Sequence, residues 1–216
     1  MGGPIVVINP NSNEAVTQGL DAALAGLRFA GGPAIECLTL AEGPFGIESQ
    51  LESDAVVLPL VARVEARGDA AAFVIACYSD PGLEACRTVA GVPVFGIQEC
   101  GVLAALARAD RFGVIAIAEA SIPRHRRYMR RMGVLDRLAG ERALDMSVDE
   151  AARGSETCAR LRAAGAALVE MGADALVLGC AGMAGHRAAL ERALGRPVID
   201  PTQAAVAMAL GAVSAG

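Results

Sequence analysis

Gly68-Asp-Ala-Ala-Ala-Phe-Val-Ile-Ala-Cys77 and Gly172-Ala-Asp-Ala-Leu-Val-Leu-Gly-Cys180 are two versions of one phrase. Each is a short apolar run, the pattern of a strand covered on both faces, and each ends in a cysteine. After a helix-like stretch, the first is followed by Gly91-Val-Pro93-Val-Phe and the second by Gly195-Arg-Pro197-Val-Ile. Cys77 lies 16 positions before Pro93, and Cys180 lies 17 before Pro197. The order strand, Cys, helix, Gly-x-Pro, strand, helix therefore occurs twice. A period this long marks a duplicated domain rather than a solenoid.

Outward from this pair, β-branched runs at Ile5–Ile8, Ala34–Thr39, Val92–Gly96, Phe112–Ile117 and Pro197–Ile199 join Ala71–Ala76 and Ala173–Leu178 as predicted strands. Ala-rich stretches between them predict helices over Asn13–Leu27, Leu51–Arg67, Gly82–Ala90, Cys100–Ala109, Pro123–Met132, Ser155–Met171, Gly185–Ala193 and Pro201–Val213. Such alternation is the mark of an α/β fold. The expected architecture is two pseudosymmetric lobes, each with a mainly parallel sheet flanked by helices, and an active-site cleft between them. Residues 1–110 form the expected first lobe and residues 111–216 the second, with the C-terminal segment free to pack back on the first.

Composition narrows the function. Hydrophobic residues make up 54% of the 216 and aromatics only 3%, so the core rests on Ala, Val, Leu and Ile. No apolar run reaches the roughly 18 residues of a membrane span, and the start runs from Gly-Gly-Pro into Ile5 without a charged leader; a cytoplasmic protein with no membrane partner is expected. All 19 basic residues are Arg within a net charge of −5, which does not favour a nucleic-acid partner. The six cysteines form no CxxC pair and only two His accompany them, so neither a disulfide scaffold nor a structural metal is expected. With no Walker loop or GxGxxG motif, no nucleotide cofactor is indicated.

In an open parallel sheet, ligands bind beyond the carboxyl ends of the strands, where both echoed cysteines sit. If the halves pack about a pseudo-twofold axis, one thiol stands on each side of a small molecule, the geometry of a two-base proton exchange. Each cysteine also precedes an expected helix start, where free amides and the helix dipole favour thiolate. The competing reading of a free cysteine is a small buried hydrophobe, and this is the one given to Cys37, Cys86, Cys100 and Cys158.

Cys77-Tyr-Ser-Asp-Pro-Gly-Leu83, Gly179-Cys-Ala-Gly-Met183 and the opening Ile8-Asn-Pro-Asn-Ser12 together resemble the aspartate/glutamate/hydantoin racemase superfamily, most closely its hydantoin racemase branch. The resemblance runs over nearly the whole chain. It implies two pseudosymmetric α/β lobes, catalysis without a cofactor by Cys77 and Cys180, a small-molecule substrate and a homo-oligomer. Relatives acting on free acidic amino acids follow their cysteines with Asn-Thr and Thr-His, where this chain has Tyr78-Ser79 and Ala181-Gly182. A 5-substituted hydantoin or a cyclic ureide such as allantoin is the expected substrate. Maleate isomerisation, racemisation of another carbon acid and a non-catalytic ligand-binding relative are the alternatives.

The resemblance brings Asn9 and Ser49 to the mouth of the site as substrate-binding residues. Each has a purely structural alternative, Asn9 in the entry to the first helix and Ser49 in a capping box with Glu52. Tyr78, Ser79, Ala181 and Gly182 are the stronger candidates, because an enolate beside each cysteine needs donors aimed at its oxygen. Asp80 and Asp200, each before a Pro, read as caps of their own helices. Gln98-Glu99 reads equally as a pocket border and as a solvated helix start. Arg124-His-Arg-Arg-Tyr-Met-Arg-Arg131 reads as a solvated or intersubunit surface, and His186 has no assigned role.

Overall fold

The computed structural model describes residues 2–153 and 156–215. Its strands are β1 (Ile5–Asn9), β2 (Ile35–Thr39), β3 (Ala72–Ile75), β4 (Val94–Gly96), β5 (Phe112–Ala116), β6 (Leu138–Ala143), β7 (Ala175–Gly179) and β8 (Val198–Ile199). The α-helices are α1 (Glu14–Ala23), α2 (Gln50–Ala55), α3 (Val57–Glu65), α4 (Leu83–Val89), α5 (Ile97–Leu106), α6 (Ile122–Arg131), α7 (Val148–Arg153), α8 (Thr157–Glu170), α9 (Arg187–Leu194) and α10 (Pro201–Ala215). The helix expected from Ser155 has its first residue outside the described residues.

All pairings are parallel, in two four-stranded sheets of order β2-β1-β3-β4 and β6-β5-β7-β8. Adding four to each strand number of the first sheet gives the second, so the duplication read from the two cysteine phrases is the duplication of the fold. Apart from Asn9 at the end of β1, the inner strands are apolar because helices cover both faces. Within β1 the two-residue period still sorts the side chains. Ile5 and Val7 join a core continuous with the second lobe, whereas Val6 and Ile8 pack with Leu60, Val64, Leu83 and Cys86. α10 returns across the first lobe and packs on α5, where a Cβ on Gly101 would stand 2.8 Å from Pro201.

Three elements depart from expectation. The helix predicted over Leu51–Arg67 breaks at Val56, because Pro59 in the first turn of α3 has no N–H for the carbonyl four residues back. The edge strand β6 was unexpected, since Leu-Ala-Gly-Glu-Arg-Ala lacks a strand pattern; its buried Glu141 is matched by His125 and Arg126. α7 was also unexpected, although Ser147 caps Glu150 at its start in the manner of Ser49 and Glu52. No helix among the described residues is long and apolar enough to cross a membrane.

Candidate active site

Cys77 lies two residues past β3 and Cys180 directly follows β7, at the carboxyl ends of equivalent strands. They line one small cavity of about 30 Å³. Tyr78, Ser79, Ala181 and Gly182 line it with them, as do Asn11, Arg124 and His125. Cys180 is buried and Cys77 half-buried, and the small residues Ala76, Gly179, Ala181 and Gly182 beside them allow the backbone to approach a ligand closely.

Asn9 and Ser49 are not among the lining residues. Asn9 is fully buried, and its amide nitrogen donates to Asn11 Oδ1 at 2.9 Å, to the Asn13 carbonyl at 3.2 Å and to Thr17 Oγ1 at 3.0 Å. Asn11 takes the position at the cavity. Its Oδ1 accepts the backbone N–H of Asn13 at 3.0 Å, which fixes the amide oxygen, and among the described residues its nitrogen has no acceptor. Ser49 is exposed, and its hydroxyl both donates to and accepts from Glu52 in the capping box of α2.

The basic run is not simply a solvated face. Arg126, Arg127, Arg130 and Arg131 are exposed, but Arg124 and His125 are buried and reach the cavity. Both stand in the first turn of α6, beyond the carboxyl end of β5, the position from which the strand-end rule draws ligand-facing residues. Helical spacing of Ile122, His125 and Met129 marked this inner face in the sequence. Arg124 Nε donates to Ser79 Oγ at 2.8 Å. His125 Nδ1 lies 3.0 Å from Glu141 Oε2, and its ring meets Tyr78 edge-on at 4.9 Å. Burial lowers the His125 pKa against the pull of Glu141. Gln98 is buried as well, its amide donating to the His125 carbonyl at 3.0 Å, whereas His186 lines a separate surface pocket.

The helix start expected directly after each cysteine is absent at Cys77 and, at Cys180, is a 3-10 segment rather than an α-helix. Cys77 opens a turn through Asp80, at φ 45°, and α4 begins only at Leu83; Cys180 leads into a 3-10 segment, Ala181–His186. Burial pushes the Cys77 thiol up to about 12, with the neighbouring Cys180 adding to the rise and Arg124 and the Ser79 hydroxyl opposing it. Burial likewise pushes Cys180 up to about 11, against the Gly182 N–H. Asp80 caps α5 rather than its own helix, accepting from the Gln98 and Glu99 backbone at 2.8 and 2.9 Å. Asp200 caps its own helix through Gln203 N at 2.8 Å. Of the other cysteines, Cys86 and Cys100 are buried and Cys37 and Cys158 half-buried, all away from the cavity.

The duplicated parallel sheets thus meet at one cavity, to which each contributes a thiol from an equivalent strand end. The Asp/Glu/Hydantoin racemase family model matches residues 5–209, and the chain belongs to that family: it is an isomerase of the racemase type. It is 36% identical over 224 residues to a hydantoin racemase of Paenarthrobacter aurescens, covering 98% of this chain and 92% of the relative. Among solved structures it is similar to an allantoin racemase from Klebsiella pneumoniae, with TM-score 0.93, 32% identity and coverage of 100% and 89% of the two chains. A glutamate racemase from Francisella tularensis shares the fold at TM-score 0.70 and 17% identity, covering 96% and 79%.

Proposed function

We propose that this chain racemises a 5-substituted hydantoin or a related cyclic ureide such as allantoin, with Cys77 and Cys180 as the two bases. The observation that carries this reading is the meeting of two thiols, from equivalent strand ends of duplicated lobes, on one cavity. Its similarity to proteins named hydantoin racemase and allantoin racemase supports the substrate class.

The acidic proton lies on the ring carbon between a carbonyl and a ring nitrogen. One cysteine, as thiolate, takes it; the C–H electron pair moves to the carbonyl oxygen and forms an enolate. The Asn11 amide and the backbone beside the cysteines supply donors for that oxygen. The opposite thiol then protonates the carbon on its other face and becomes the thiolate. For the other enantiomer the roles exchange, so the two sulfurs hold one proton between them after every turnover. With both pKa values raised by burial, thiols are favoured at neutral pH, and thiolate forms at the expense of that desolvation.

The test is proton NMR in deuterated buffer on single enantiomers of a hydantoin panel that includes allantoin, with optical rotation followed in parallel and a control without enzyme. Enzyme-dependent loss of the ring C–H signal together with loss of rotation is expected. No acceleration across the panel would overturn the hydantoin assignment and move maleate or another carbon acid forward.

A further inference from the structure

We propose that Arg124 is a specificity-determining residue that binds a carboxylate, so that the hydantoin accepted here carries an acidic substituent on its reacting carbon; the substrate part of this rests on the hydantoin reading above.

Arg124 is only 9% exposed, yet among the described residues its one hydrogen bond uses Nε and it makes no ion pair. Its neighbours on α6 are better provided for while being far more exposed. Arg126 reaches Glu141 at 3.2 Å, Arg127 reaches Gln50 at 2.8 Å and Arg131 approaches Glu84 at 3.7 Å. The strongest charge partner of Arg124 is Cys77, which is neutral as a thiol; the carboxylates of Asp54 and Glu52 act on it more weakly and are engaged elsewhere, Glu52 by the Glu48 and Ser49 amides and Asp54 by Gln50. A guanidinium stays charged, and a buried charge without a counterion is costly. Its terminal N–H groups form a planar fork that matches the two oxygens of a carboxylate.

The location fits a substituent rather than the reacting ring. Ser79 and Arg124 are the two residues shared by the cavity holding the cysteines and an outer pocket of about 340 Å³. A short chain leaving the reacting carbon would cross this partition and bring a carboxylate to Arg124. The competing role, stabilising the enolate of any hydantoin, makes no distinction between charged and neutral substituents.

The experiment compares 5-(carboxymethyl)hydantoin with its neutral isostere 5-(carbamoylmethyl)hydantoin as protectants of Cys77 and Cys180 against iodoacetamide, read by mass spectrometry on the full chain. The carboxylate is expected to protect wild type at concentrations about tenfold or more below the carboxamide, with the ratio falling to about one in Arg124→Leu and Arg124→Gln. Equal protection in wild type, a ratio unchanged in the variants, or no protection by either compound overturns the proposal; the wild-type comparison decides even if a variant fails to fold. Ring C–H exchange is measured on the same two compounds. Selective protection without exchange would remove the hydantoin racemisation reading and keep the carboxylate site, whereas exchange without charge selectivity would do the reverse.

Discussion

Ser79 accepts a 2.8 Å hydrogen bond from Arg124 Nε, tying the turn after Cys77 to the first turn of a helix in the opposite lobe. The same hydroxyl opposes the rise of the Cys77 pKa. Ser79→Ala removes the acceptor for Arg124 and the group that favours the Cys77 thiolate, and kcat is expected to fall about 100-fold. Steady-state kinetics with thermal unfolding checks this; an unchanged kcat in a folded variant would remove Ser79 from the site.

Gly179 ends β7 directly before Cys180, and a Cβ there would lie 2.6 Å from the Ile115 carbonyl oxygen in the adjacent strand. At Gly182 the nearest atoms would be 3.4 Å or more away, an ordinary contact. Gly179→Ala is therefore expected to destabilise by about 1–3 kcal/mol and to displace Cys180, while Gly182→Ala keeps its Tm within a few degrees. Calorimetry on the two variants distinguishes them.

Burial pushes both thiols up, Cys77 to about 12 and Cys180 to about 11. Thiolate content, and with it the rate of alkylation, is expected to rise steadily through mildly alkaline pH, with both cysteines slower than a free thiol at neutral pH. A plateau near neutrality in a pH series of iodoacetamide labelling would show that the desolvation of the two thiols is offset.

What the sequence displayed and what it hid follow one physical division. Inner strands such as β1 and β7 were legible because burial on both faces leaves continuous apolar runs, and the cysteine pair was legible because the duplication repeats it. β6 was not, since an edge strand can carry Glu141 and Arg142 as long as distant partners meet the buried charge. Arg124 and His125 were hidden in a run whose composition is that of a solvated face, although only part of that helix is wet. The choice of Asn11 over Asn9 depends on local hydrogen bonds that residue type alone does not rank. The thiol pKa direction depends on desolvation, which a helix-start pattern does not show.

Burial pushes the Asp80 carboxyl from 3.8 up to about 7, and Asp200 up to about 6. The folded chain thus holds protons that the unfolded chain releases between about pH 4 and pH 7, so these groups make stability fall as pH rises through that window. Asp80→Asn is expected to reduce the fall in Tm between those limits relative to wild type. An identical slope in both proteins would contradict the burial of a titrating Asp80.

The most direct measurement follows ring C–H exchange and optical rotation, enantiomer by enantiomer, in deuterated buffer for wild type, Cys77→Ser and Cys180→Ser. Wild type is expected to exchange and invert both enantiomers of its hydantoin substrate. Each variant should lose racemisation, with any residual exchange confined to the enantiomer whose proton faces the surviving thiol, a different one in each variant. Racemisation at the wild-type rate in either variant would contradict two-base catalysis by this pair.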